Sequence, residues 1–214
     1  MILKKLGMIL ALCGMIGSAN AANFSFTGKF QYDNDVQLFS FVVSSASTVS
    51  LRSWSYAGGV NAAGQTIARG GFDPILALFD ATGTKIDQQD DAECPAVAAD
   101  SVTDRCYDTF FTTLLQAGTY TASVQQYDNF AYDSLALGFM KDGVEYQSFR
   151  DGFIDSGMDK RNGLWAFDVL NVAAAALPPP GDVPPSGDVP EPASLGLLGA
   201  GLLGMATLRR RKAV

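Results

Sequence analysis

Residues 24–30 read FSFTGKF. Phe24, Phe26 and Phe30 share one side of an extended chain and the polar residues take the other, because successive strand side chains point to opposite faces. This period of two predicts a half-buried β-strand. The segments that follow extend the pattern. VQLFSFVV (36–43) and TVSLRSW (48–54) are rich in β-branched and aromatic residues. DPILALFD (73–80) is a short apolar run between two aspartates, and ATGTKI turns through Gly83 into the next strand. TFFTTLLQAGTYTASVQQY (109–127) reads as two strands joined at Ala117-Gly118, and LALGFM (135–140), VEYQSF (144–149) and LWAFDVLNV (164–172) read as further strands. No segment of the body sustains a helical period over three turns. Roughly nine short strands with Gly and Asp turns predict an all-β fold, an antiparallel β-sandwich or jelly roll spanning 22–172. Residues 57–71, glycine-rich and without an apolar period, read as a long loop.

The N-terminus has Lys4 and Lys5, an apolar stretch from Leu6 to about Gly17, and Ala19-Asn20-Ala21, a small-x-small site. This is the layout of a secretory signal peptide, so residues 1–21 are expected to form a signal helix that is removed after use of the Sec export machinery. Cys13 leaves with it. The two remaining cysteines, Cys94 and Cys106, then sit in an oxidising compartment and are expected to form a disulfide. Residues 22–188 carry 9 Lys and Arg against 21 Asp and Glu. Such an acidic body repels nucleic acid, which is excluded as a partner. The chain has no histidine. Its absence removes the usual general base of Ser and Cys hydrolases and the commonest zinc ligand, so an enzyme is not expected.

After Val172 the chain becomes AAAALPPPGDVPPSGD (173–188), a Pro/Ala/Gly linker that cannot bury a core. The last segment, 189–214, has three parts in order: Val189-Pro190-Glu191-Pro192, an uncharged run of 16 residues from Ala193 to Leu208, and the basic cluster Arg209, Arg210, Arg211 and Lys212. As a helix the run is about 24 Å long at 1.5 Å per residue, just under the ~30 Å of a hydrocarbon core. A single transmembrane helix over 193–208, with the basic cluster cytoplasmic, places the domain outside.

This tail resembles the PEP-CTERM sorting signal of Gram-negative bacteria. The resemblance implies recognition by an exosortase, a membrane protease-transpeptidase, with removal of the tail near Pro190-Glu191-Pro192. It also implies transient anchoring in the membrane, then release to the cell surface or extracellular matrix, in bacteria that make exopolysaccharide. YDNDVQLFSFVV, GFDPILALFDATGTKIDQQDD and LLQAGTYTASVQQYDNF in the body resemble one family of PEP-CTERM proteins, and more distantly the bacterial pre-peptidase C-terminal domains. Those are β-sandwiches, some of which bind calcium. The expected role is a structural or exopolysaccharide-associated biofilm component. A calcium-dependent carbohydrate- or protein-binding module is the alternative, and a carboxylate hydrolase comes third.

Calcium takes six to eight oxygens, often from loops at strand ends. Asp33 and Asp35 precede one strand, Asp90 and Asp91 follow another, and Asp128 lies at a third strand end, so these five are the candidate ligands. Asp73, before Pro74, reads as a turn residue. For a sugar ligand, Trp54 and Tyr56 adjoin the glycine loop and are the candidate aromatic platform, whereas Trp165 reads as core. A hydrolase would need paired carboxylates such as Asp90 and Asp128.

Overall fold

In the computed structural model, which describes residues 21–143 and 153–178, the chain forms two facing antiparallel sheets. The strands are β1 (Ala22–Lys29), β2 (Val36–Val43), β3 (Ser47–Ser53), β4 (Gly59–Val60), β5 (Thr66–Ile67), β6 (Pro74–Phe79), β7 (Lys85–Gln89), β8 (Phe110–Leu115), β9 (Gly118–Gln126), β10 (Phe153–Ile154), β11 (Lys160–Arg161), β12 (Leu164–Val172) and β13 (Ala174–Ala176). One sheet has the order β1-β12-β3-β8 and the other β13-β2-β9-β6-β7; β4-β5 and β10-β11 are two-stranded ribbons. The expected all-β sandwich is therefore present.

The period-two pattern is what builds the core. Phe26 and Phe30 join Phe39 and Phe41 of β2, Val49 and Leu51 of β3, Leu76 and Leu78 of β6, and Trp165, Phe167 and Val169 of β12 in one buried cluster between the sheets. In the opening stretch the apolar alternation skips position 28, and the structure shows why. Gly28 pairs with Trp165, and a Cβ at position 28 would fall inside the indole ring. The missing side chain is the space the Trp165 ring occupies.

β6 is buried along its whole length. Its second face carries Ala77 and Phe79, which pack with Ala131 and Phe139. Phe139 belongs to LALGFM, which is not the expected strand. Leu135–Leu137 form a 3-10 turn, ended at Gly138 with φ +75°, and the segment lies as a cap over β6. Two other expectations change. The glycine loop 57–71 contains the small β4-β5 ribbon, closed at Gly64 with φ +77°. The head of the expected linker forms β13, which crosses to the opposite sheet and pairs with β2 after the Ala173 N–H binds the Val42 carbonyl at 2.8 Å. VEYQSF, residues 1–20 of the expected signal segment and the helix expected at 193–208 lie outside the described residues.

Cys94 and Cys106 are joined by a disulfide across a separation of 12 residues. The loop it closes carries buried Val97. It also carries Asp100, which binds the Arg69 guanidinium at 2.6 and 2.7 Å. Replacing both cysteines by serine is expected to cost about 3 kcal/mol from the loop-closure entropy alone. Urea unfolding of the two forms measures this, and alkylation without reductant should label neither cysteine in the native protein.

Candidate functional site

Antiparallel pairing brings three aspartates of distant sequence to one end of the sandwich. Leu76 lies opposite Gln89, so β7 ends beside the start of β6. Asp73 precedes Pro74, which holds it extended, and its carbonyl accepts the Tyr127 N–H at 2.7 Å. Asp90 and Asp91 follow the end of β7. The result is a cluster in which one carboxylate oxygen from each of Asp73, Asp90 and Asp91 lies within 4.8 Å of the others. Thr109, at the head of β8 in the facing sheet, sets its hydroxyl against the carbonyls of Pro74 and Asp90. Both sheets thus hold the cluster's backbone.

The electrostatics of the three groups follow from that placement. Asp73 is 1% exposed. Among the described residues neither of its carboxylate oxygens has a hydrogen-bond partner, nor does the buried Oδ1 of Asp90. Burial, followed by the charges of Asp91, Asp90, Asp155 and Asp108, pushes the Asp73 carboxyl up to about 9. Burial and then the neighbouring Asp90, Asp108 and Asp155 raise Asp91 to about 7. Burial raises Asp90 to about 6. Asp91 is the exposed member and forms the mouth of the cluster.

Nearby acids are handled differently. Asp108 is buried, and burial raises its carboxyl, but it accepts hydrogen bonds from Tyr56 N at 3.1 Å, Ala57 N at 2.8 Å and the Ser53 hydroxyl at 2.8 Å. Asp155 accepts from the Tyr56 hydroxyl at 2.6 Å and from the N–H groups of Gly157 and Asp159. Asp100 is ion-paired to Arg69 and Arg161. Asp73 has no such compensation, and a carboxylate out of water without partners is costly.

Residues 188–212 match the PEP-CTERM protein-sorting motif. The chain carries a PEP-CTERM sorting tail. That tail contains Pro190-Glu191-Pro192 and the basic residues Arg209 to Lys212. It implies export, processing at the membrane by an exosortase and placement at the cell surface. No curated protein matches the chain.

Ahead of the PEP-CTERM tail, the sequence-derived candidates separate into distinct environments. Asp90 and Asp91 come together, joined by Asp73, which the sequence suggested was a turn residue. Asp33, Asp35 and Asp128 lie outside the cluster. Asp33 is buried and 3.8 Å from the Lys141 ammonium. Asp35 accepts the N–H groups of Gln31 and Tyr32 at 2.7 and 2.8 Å, closing its own turn. Asp128 occupies a left-handed turn position at φ +69°. Tyr56 departs from the expected sugar platform. It is 0% exposed, and the Arg161 guanidinium lies 3.6 Å from its ring centre. Trp54 is partly exposed, but its indole N–H donates to Asp168 at 2.7 Å and the Arg52 guanidinium covers one face at 3.9 Å. Four residues of the tail motif, 189 to 192, and the basic cluster lie outside the described residues.

Proposed function

We propose that this protein is an exported acidic β-sandwich that serves at the cell surface or in the extracellular matrix as a structural or exopolysaccharide-associated component. In this reading the Sec machinery exports it, the tail anchors it transiently in the membrane, and an exosortase releases it near Pro190-Glu191-Pro192. The observation that carries the reading is the sorting motif at 188–212 behind a disulfide-bonded domain. The absence of histidine from the sequence favours a non-catalytic role. A second reading, a calcium-dependent binding module for carbohydrate or protein, is favoured by the unpartnered carboxylates of Asp73 and Asp90.

Intact mass of the protein recovered from the producing cells tests the processing step. The mature form is expected to lack residues 193–214, and changing Pro190-Glu191-Pro192 to Ala-Ala-Ala should leave the tail attached and the protein in the membrane fraction. Recovery of the unaltered protein with its tail intact would overturn the proposal. Retention of the released protein on the bacterium's own exopolysaccharide, with calcium or with chelator, then separates a matrix-associated component from a calcium-dependent module.

A further inference from the structure

We propose that Asp73, Asp90 and Asp91 bind one divalent cation of the calcium class, and that this ion closes the end of the sandwich where the disulfide loop leaves β7. The proposal rests on the geometry of the cluster and is independent of how the tail is processed.

Distance is the first argument. Two oxygens each about 2.4 Å from a calcium ion are at most about 4.8 Å apart. The three carboxylates each place one oxygen within 4.8 Å of the others, so every pair meets this limit, and one ion reaches all three with small adjustments of the side chains and no rearrangement of the strands. Magnesium, with bonds of about 2.1 Å, demands a stricter octahedron than three carboxylates on two strand ends are built to supply.

The second argument is the state of Asp73. Its side chain is essentially inaccessible, both of its oxygens are without a hydrogen-bond partner among the described residues, and one of them lies within 4.8 Å of a carboxylate oxygen of each of Asp90 and Asp91. Structural acids elsewhere at this end of the molecule are fully hydrogen-bonded: Asp108 by Tyr56, Ala57 and Ser53, and Asp155 by Tyr56, Gly157 and Asp159. Among the described residues no Lys or Arg forms an ion pair with Asp73, Asp90 or Asp91; the basic side chains Arg69, Lys85, Lys141 and Arg161 pair with Asp100, Asp133 and Asp33. A positive charge at the centre of the triad would supply what the protein's own side chains do not.

Ligand chemistry selects the class of ion. All three donors are carboxylates, which suit hard cations. The chain has no histidine, and the two cysteines of the domain are tied in a disulfide, so neither an imidazole nor a thiolate is at hand for zinc or copper. The exposed Asp91 gives the ion a route in and leaves room for the waters that complete a coordination of six to eight.

Binding would have a mechanical consequence. Asp73 is fixed at the head of β6, and Asp90 and Asp91 form the root of the segment that runs to Cys94. The Ala92 N–H binds the Asp108 carbonyl at 3.1 Å, so an ion here staples β6, the end of β7 and the approach to β8 together.

Calcium titration of the full-length protein in a mild detergent tests this, read by calorimetry and by Tm, with magnesium and a chelator as comparisons. At a calcium concentration about a hundredfold above its Kd, Tm is expected to rise by roughly 5–10 °C, with less effect from magnesium and full reversal by chelator. Asp91→Asn, at the surface, is expected to fold normally and to lose at least about tenfold in calcium affinity. Asp73→Asn should abolish the calcium response while its Tm in chelator equals or exceeds that of the parent, because a buried unpaired carboxylate has been removed. An unchanged Tm and no binding heat at about 5 mM calcium would overturn the proposal, leaving Asp73 as a protonated structural acid. So would an Asp91→Asn variant that responds to calcium as the parent does.

Discussion

Replacing Phe39 with alanine is expected to lower the unfolding free energy by about 3–5 kcal/mol. The ring projects from β2 in one sheet and is 0% exposed. Its centroid lies 4.9 Å from that of Phe26, 4.7 Å from Phe167 and 5.6 Å from Trp165, the last in an edge-on contact at 84°. All three partners belong to the facing sheet, on β1 and β12. Truncation therefore removes buried area, leaves a cavity between two sheets that cannot collapse independently, and forfeits aromatic pairs worth about 0.5–1.5 kcal/mol each. The loss is a large share of the roughly 5–15 kcal/mol that holds a typical domain. Urea midpoints with an unchanged slope would measure it. Leu114→Ala on β8, where the side chain is 67% exposed, is the comparison and should shift stability by no more than about 0.5 kcal/mol. Equal effects at the two positions would contradict the sandwich.

Phe39 also marks the kind of information that sequence carries well. Alternation over FSFTGKF and VQLFSFVV identifies inward residues because strand geometry has a fixed period, and LWAFDVLNV coincides with β12 from end to end. A turn separates β8 from β9 at Gln116-Ala117, one residue ahead of the expected Ala117-Gly118. The pattern misleads where an apolar segment covers a sheet from outside. Leu135 and Phe139 are apolar because β6 needs cover on its second face, and periodicity cannot distinguish a strand from a capping turn. β13 is invisible for another reason. Three alanines pair with β2 through backbone groups, and no side-chain pattern announces an edge strand of that kind.

The carboxylate cluster was half legible. Asp90 and Asp91 stand out as an acidic pair after a strand, but their partner is set by register. Asp73 looks like an ordinary Asp-Pro turn until β6 is laid against β7, when the head of one strand meets the tail of the other. The signal that could have found it is the combination of Asp-Pro opening a wholly apolar strand with Asp-Asp closing the strand that pairs with it. Tyr56 was misplaced by the opposite error. Proximity to a glycine-rich segment suggested exposure, whereas Arg161, Asp155, Thr103 and Tyr107 surround the side chain.

Metal-free protein is expected to become more stable as pH falls from about 8 to about 5, the reverse of ordinary acid lability. The unfolded carboxyls titrate near 3.8, whereas in the fold Asp73 is pushed up to about 9, Asp91 to about 7 and Asp90 to about 6. Between those limits the native state holds more protons than the unfolded state, so stability declines with rising pH. The groups facing Asp73 are Asp90, Asp91, Asp108 and Asp155, all acidic, so none of them supplies an opposing cation. Asp100 works in the other direction: burial pushes it up, but the Arg69 guanidinium and the N–H groups of Thr103 and Val102 pull it well below the usual carboxylate range. Its contribution is lost only as pH drops through and below the unfolded value, outside this window. With no histidine in the chain, no imidazole titrates there either. At about 1.4 kcal/mol per pH unit for one proton, Asp73 alone contributes up to about 4 kcal/mol across the range. Urea unfolding in chelator at the two pH values measures the difference. Saturating calcium should flatten the dependence by raising stability at the alkaline end, because the ion then stands where the protons stood. A chelated protein that grows more stable from pH 5 to pH 8 would mean that Asp73 is ionised and compensated within the fold, and that the triad has no unmet demand for a cation.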